Sequence, residues 1–426
     1  MTLTVEKSKI FGSVYIQISK SDAHRALIAS SLSNDISILK PWMNDVSLDI
    51  NATLNAMANF VDFEYDAKDC ILKVIPKKNK NTIKDLTINV EESGTSLRLL
   101  VPIMSALGIN TTFVGGEKLF SRPMSVYRDI FKKQGLLFDL QKSSLRIEGK
   151  LQADEFHISG DISSQFFSGL LFALPLLDGD SKIIVDTNLE SRSYVMMTLK
   201  TLKEAKIEVF KHSDNFVEVS GRQYYNPLSY TIESDWSHCA FFAVAAALAG
   251  EVTLYGLDKY SIQSDKYILN ILKYIGTSIN YNDDNSITIK KQGKINSLDI
   301  DISNIVDLAP ILVVLGATVS GGITKLYNAH RLKYKESDRI KDLEDSFSRI
   351  GVNIRTTDNE IIVEGSGFIK GGRTISHNDH RIAMALAVAG IISKEAVIID
   401  DAESISKSSF SFINDFKSIG ANVILN

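Results

Sequence analysis

The densest chemistry in the sequence lies in two short stretches, Lys335-Glu336-Ser337-Asp338-Arg339 and Asn378-Asp379-His380-Arg381. The first stands just ahead of Ile340, Leu343, Phe347 and Ile350, which recur at helical spacing and end on Gly351, where a C-terminal cap belongs. The pentapeptide therefore sits at or just before a helix N-terminus, and if that helix begins a turn early, Lys335 and Arg339 share a face. Cations at the positive end of a helix dipole are misplaced unless an anion binds there. The second stretch opens the apolar run IAMALAVAG, so Arg381 again stands at a buried helix start and suggests an anion. His380 by itself reads as structural, and a solvated face remains the plain reading of any single charge run.

Other polar clusters have the same setting with different contents. Ser19-Lys20-Ser21 precedes Arg25, and Gly94-Thr95, where a ligand can approach the backbone, precedes Arg98. Arg122-Pro123 reads as ordinary helix-opening grammar. Ser163-Ser164-Gln165 places three hydrogen-bonding side chains before FFSGLLFALPLL; a cap uses one, and a polyhydroxylated ligand would satisfy the rest. Ser191-Arg192-Ser193-Tyr194 is a polar helix entry. Asp235-Trp236-Ser237-His238 offers caps without cations and reads as structural. Asp307, inside IVDLAPILVV, is a helix cap or a base with an environment-tuned pKa. Lys407 in SISKSSF says little alone.

The elements behind these clusters repeat. Six times a short strand runs into a polar cluster and then an Ala/Leu-rich helix, at residues 16–32, 88–107, 158–177, 232–250, 301–320 and 375–392. A β-branched strand follows each, then an amphipathic helix, then a hairpin, with a period of roughly seventy residues. The last copy stops at the single strand ANVIL, and the partner of the N-terminal strand IFGSVYIQIS is not given by the periodicity. Such β-α-β-α-β-β units cannot cover both helices and sheet alone, so they must pack together with the apolar helices inside.

Composition narrows the function. The 426 residues are 44% hydrophobic and 23% charged, with net charge −4, as in ordinary globular proteins of two or three domains. No global field draws the chain to nucleic acid, and no basic stretch is interleaved with aromatics, so an anion site must be a local gathering of cations. The two cysteines, Cys70 and Cys239, form no disulfide framework or zinc spacing, which suits a reducing cytoplasm. No apolar run is long enough to span a bilayer, and the N-terminal residues lack a signal-peptide core.

Taken together, GTSLR (94–98), GDISSQF (160–166), KESDR (335–339) and NDHRIAM (378–384), in this order, resemble the EPSP synthase (3-phosphoshikimate 1-carboxyvinyltransferase) family over essentially the whole chain. The resemblance implies an α/β fold of two domains, each an inside-out α/β barrel of three β-α-β-α-β-β repeats. Residues 20–232 would form the shikimate 3-phosphate side. Residues 1–19 plus 233–426 would form the other domain, with the active site in the cleft between them. The implied reaction moves the enolpyruvyl group of phosphoenolpyruvate to the 5-hydroxyl of shikimate 3-phosphate and releases phosphate, without metal or organic cofactor. Lys20, Gly94, Arg122, Gln165, Arg339, Arg381 and Lys407 would hold phosphoenolpyruvate. Lys20, Ser21, Arg25, Ser163, Ser164, Gln165, Ser191, Tyr194, Asp307 and Lys335 would hold shikimate 3-phosphate. Asp307 would accept the hydroxyl proton, Glu336 would exchange one at the methylene carbon, and Lys20 would assist as a third catalytic group. A cytoplasmic monomer with no nucleic-acid or membrane partner is expected.

The chain departs from the family pattern at Gln17-Ile18 (usually Pro-Gly), His24 and Glu92 (usually asparagine), and Ser409-Phe410 (usually aromatic-Pro). Two rivals share the scaffold: the sister transferase acting on UDP-N-acetylglucosamine, whose usual loop cysteine is absent from GGEKLFSRP, and a non-catalytic phosphate-ligand binding protein.

Overall fold

The computed structural model describes residues 1–43, 45–78, 82–293 and 295–426. The chain divides into two compact units: a continuous one, residues 18–232, and a two-segment one, residues 1–17 with 233–426. Each unit has its own apolar core and three four-stranded sheets.

In all six sheets one edge pair of strands runs parallel and the other two pairs antiparallel, so one small topology is used six times. The apolar helices lie inside. In the continuous unit these are Lys20–Leu32, Gly94–Ala106 and Ser164–Ala173; in the two-segment unit, Trp236–Ala249, Ala309–Thr318 and His380–Gly390. Nearly all their residues are buried: most of these helices are largely apolar all round, while Lys20–Leu32 also carries Asp22, His24 and Arg25 into the interior. The second helix of each repeat is amphipathic. Ser125–Lys133, for example, buries Val126, Tyr127, Ile130 and Phe131 and leaves its polar face outside. The six sheets stay separate, each with two edges, and do not close into a continuous barrel.

Three strand exchanges were not legible in the repeat. The strand Ile10–Tyr15, just ahead of the first repeat's helix, pairs with Gly250–Tyr255 in the fourth repeat's sheet. Conversely, Ser229–Thr231 returns to pair with Ser37–Lys40 in the first repeat's sheet. The incomplete sixth repeat is finished by Leu3–Glu6, which lies between Val397–Asp400 and Asn422–Leu425.

Packing between two buried helices of the continuous unit explains a proline within one of them. Pro102 has no N–H, so the carbonyl of Arg98, four residues back, loses its helical donor. The Tyr127 hydroxyl supplies it, donating to Arg98 O at 2.7 Å while also reaching Phe166 O at 3.2 Å. Gly169 makes room for this: a Cβ there would lie 2.2 Å from the Tyr127 hydroxyl and 2.5 Å from Arg98 O.

The helix bearing the charged pentapeptide spans Arg339–Arg349 and buries Ile340, Leu343 and Phe347, as their spacing predicts. It does not begin a turn early. Residues His330–Tyr334 form a separate 3-10 turn and Lys335 is extended, so Lys335 and Arg339 share no helical face.

Candidate active site

In the two-segment unit, Asp307, Lys335, Glu336, Arg339 and Arg381 come together, with Asp379 beneath them. Asp307 lies in the 3-10 turn Val306–Leu308 that leads into the buried helix Ala309–Thr318. Its Oδ1 faces Lys335 Nζ at 3.2 Å, Arg339 Nη1 at 3.1 Å and Arg381 Nε at 3.4 Å. Burial pulls the Asp307 carboxyl toward protonation, but Arg381, Lys335 and Arg339 outweigh it and hold its pKa well below the usual carboxylate range. Burial in turn lowers the Lys335 pKa, against the opposing pull of Asp307.

Arg339 is the hub. It is fully buried, donates to Glu336 Oε2 at 2.5 Å, and grips both oxygens of Asp379, at 2.8 and 3.2 Å. Asp379 also caps the helix His380–Gly390, accepting from the backbone N–H of Arg381 at 2.9 Å. One carboxylate thus orients Arg339 and fixes where Arg381 emerges. Lys407, in the turn Ala402–Lys407, donates to Asn378 O at 2.9 Å, which places it beside the same helix start.

The continuous unit holds the second group of site residues. Ser19 caps the helix Lys20–Leu32, and Lys20 Nζ pairs with Asp49 Oδ2 at 2.7 Å. Arg25 is buried, and burial draws its pKa down to about 10. Its guanidinium donates to Thr198 Oγ1 at 2.8 Å, Ser21 O at 2.6 Å and Tyr194 O at 2.9 Å. Arg25 therefore ties the helix Lys20–Leu32 to Arg192–Glu204, whose N-cap, Ser191, adopts φ 54°. Ser163 caps Ser164–Ala173 by accepting from Gln165 N–H. The Gln165 amide is clamped on both sides: Arg98 donates to its oxygen at 3.0 Å, and its nitrogen donates to Thr95 Oγ1 at 2.8 Å. Gly94 backs onto Arg122, whose Nη1 would lie 2.9 Å from a Cβ at that position.

The departures from the family pattern have local partners. His24 Nδ1 meets Thr53 Oγ1 at 2.7 Å, and Thr53 passes the contact to the Ser96 hydroxyl at 2.7 Å, joining three helices. Burial, then Lys20 and Arg25, keeps His24 neutral, well below the ordinary histidine pKa. The Gln17 amide donates to Ser408 O at 2.8 Å, beside Ser409, whose hydroxyl accepts from Phe412 N–H at 3.0 Å. The side chain of Glu92 lies against Gly116, where a Cβ would approach it to 3.2 Å.

Sequence reasoning passed over Asp49 and Asp379, the partners of Lys20 and Arg339. Asp379 lay inside a quoted motif but was given no role of its own. Nothing in the spacing marks Asp49, twenty-nine residues from its lysine.

The sequence model of the family described as EPSP synthase (3-phosphoshikimate 1-carboxyvinyltransferase) matches residues 5–416. The chain is 61% identical to a 3-phosphoshikimate 1-carboxyvinyltransferase of Brachyspira hyodysenteriae, over 100% of both chains. It is 40% identical to that of Clostridium novyi, over 97% of this chain and 96% of that protein. Among solved structures, an EPSP synthase from Acinetobacter baumannii superposes with TM-score 0.80 at 22% identity, covering 100% of each chain. The enolpyruvyl transferase NikO from Streptomyces tendae superposes with TM-score 0.78 at 14% identity, covering 99% of this chain and 98% of that one.

Proposed function

The chain belongs to the EPSP synthase family, and from that premise we propose how its own residues carry out 3-phosphoshikimate 1-carboxyvinyl transfer. The substrates are phosphoenolpyruvate and 3-phosphoshikimate, both polyanions. At about 4 Å and an effective dielectric near ~20, each pair of like charges costs roughly 4 kcal/mol. Cations must offset that repulsion before any bond can form.

In this reading Lys20, Ser21, Arg25, Ser163, Ser164, Gln165, Ser191, Tyr194, Asp307 and Lys335 serve 3-phosphoshikimate. Arg25 acts partly by tying together two of the helices that carry the others. Lys20, Gly94, Arg122, Gln165, Arg339, Arg381 and Lys407 serve phosphoenolpyruvate. Arginine forks suit its carboxylate, and lysines suit phosphate.

The single observation that supports this most is the convergence of Lys335, Arg339 and Arg381 on one oxygen of Asp307. An ionised carboxylate masked by three cations is a base in waiting. An incoming anion competes for the cations and leaves Asp307 free to accept the proton of the 5-hydroxyl. The hydroxyl oxygen then bonds to C2 of phosphoenolpyruvate while Glu336 delivers a proton to C3. In the second step Glu336 takes a proton back from C3, the double bond re-forms, and the C2–O bond to phosphate breaks, the departing phosphate carrying off the proton that Asp307 took from the 5-hydroxyl. Glu336 keeps its position through Arg339.

No helix of the described residues is long and apolar enough to cross a membrane, and a cytoplasmic monomer is part of the proposal. The test is phosphate release by the full chain with both substrates, with either substrate alone, and with UDP-N-acetylglucosamine in place of 3-phosphoshikimate. Release is expected only with the first pair. Turnover with the nucleotide sugar identifies the sister transferase, and tight ligand binding without product identifies a binding protein.

A further inference from the structure

One carboxyl group of the two-segment unit has no part in the chemistry above. Asp265 lies in the 3-10 turn Ser264–Tyr267 and is 2% exposed. Its Oδ2 accepts from Ser237 Oγ at 2.5 Å, within the first turn of the helix Trp236–Ala249. Its Oδ1 is buried with no hydrogen-bond partner among the described residues. A buried carboxylate oxygen without a donor is costly to leave charged.

The surroundings add to that cost. Burial is the largest influence on Asp265, and repulsion from Asp307 and Asp235 acts in the same direction; Arg381 and the Ser237 hydroxyl oppose them. His238, next along the helix, is buried and drawn down to about 4, so near neutrality it supplies no positive charge. The outcome is a carboxyl pushed up to about 7, on a turn that packs against the helix Trp236–Ala249, which in turn packs against the turn of Asp307 and the helix His380–Gly390 that opens at Arg381.

We propose that Asp265 is a positioning residue that holds a proton behind Arg381 and thereby sets how tightly the unit takes an anionic ligand. The inference rests on the reading that Arg381 holds the carboxylate or phosphate of phosphoenolpyruvate. When ionised, Asp265 draws on the same positive field the ligand needs; when protonated, it does not. Ligand and proton therefore favour each other, and by linkage the effect is reciprocal. Below the midpoint the proton is in place and the anion binds well. As pH rises through the midpoint the proton is lost and binding weakens, unless the ligand draws the proton back.

The test uses the full chain and phosphoenolpyruvate. Calorimetry in two buffers of different ionisation enthalpy, at about pH 7.5, reads the protons taken up per ligand bound. The wild type is expected to take up a fraction of a proton that Asp265→Asn does not. KM for phosphoenolpyruvate is expected to rise between about pH 6 and about pH 8.5 by on the order of tenfold more in the wild type than in Asp265→Asn. Equal proton uptake, or pH profiles of KM that superimpose, would overturn the proposal. Should Asp265→Asn not fold, Ser237→Ala replaces it. Loss of the donor disfavours the charged form, so the midpoint must move to higher pH, and an unmoved midpoint overturns the proposal equally. A protein that turns over both substrates without this proton uptake refutes the role of Asp265 alone. One that binds phosphoenolpyruvate with uptake and never turns over refutes the catalytic reading and leaves this role standing.

Discussion

At Asp307 two forces oppose each other. Burial favours the neutral acid, and three cations favour the carboxylate, which prevails. The same residue type at Asp265, where burial and then repulsion from Asp307 outweigh Arg381, goes the other way. Because Asp307 and Glu336 share Arg339 but are assigned different proton transfers, removing either one should stop the reaction. Asp307→Ala and Glu336→Ala are each expected to lower kcat by at least about a hundredfold in steady-state assays. Near wild-type rates in either would refute the roles given to them. His238 supplies a stability prediction. Its ring is buried against Phe242 and Phe412, both its nitrogens lack hydrogen-bond partners among the described residues, and burial depresses its pKa to about 4. The unfolded chain therefore takes up a proton that the folded one refuses. Stability is retained above about pH 6.5 and falls as pH drops toward about 4, by roughly 3 kcal/mol from this residue. His238→Phe should flatten denaturation midpoints across that window, and an unchanged acid slope would contradict the assignment. Much of this scale was legible beforehand. Charge at apolar helix starts marked Lys20, Asp307, Lys335, Arg339 and Arg381. What pairs with them was not legible, because Asp49 and Asp379 gain meaning only when distant turns meet.

Between elements, the placement of site residues depends on how closely buried helices approach. Gly169 admits Tyr127 and the Arg98 carbonyl, and Arg98 in turn clamps Gln165. Gly169→Ala forces a Cβ into both and is expected to destabilise the chain by about 1–3 kcal/mol in urea denaturation. A change within a few tenths of a kcal/mol would mean the helices can separate freely. Gly94→Ala is a different case. The clash there is with the flexible tip of Arg122, so stability should hold within about 1 kcal/mol while KM for phosphoenolpyruvate rises about tenfold or more. An unchanged KM would place Arg122 outside the binding machinery. At this scale the six-fold repeat predicted every buried helix, including Lys20–Leu32, whose own sequence is not apolar on all sides. It did not predict which sheet the strands Ile10–Tyr15, Ser229–Thr231 and Leu3–Glu6 would join, because a strand's own residues specify a buried face but not a partner.

Across the whole molecule, a chain of net charge −4 places cations at successive helix starts in each of its two units. The departures from the family pattern at Gln17, His24 and Ser409 acquire hydrogen bonds within their own units and remove none of the groups the reaction needs. The central claim is that these groups serve one reaction between two phosphorylated acids. Continuous measurement of inorganic phosphate, with the purified full chain, phosphoenolpyruvate and 3-phosphoshikimate, tests it most directly. Phosphate should appear in step with enolpyruvyl product, only when both substrates are present, and Asp307→Ala should abolish it. No phosphate from the wild-type chain with both substrates at saturation would contradict the account.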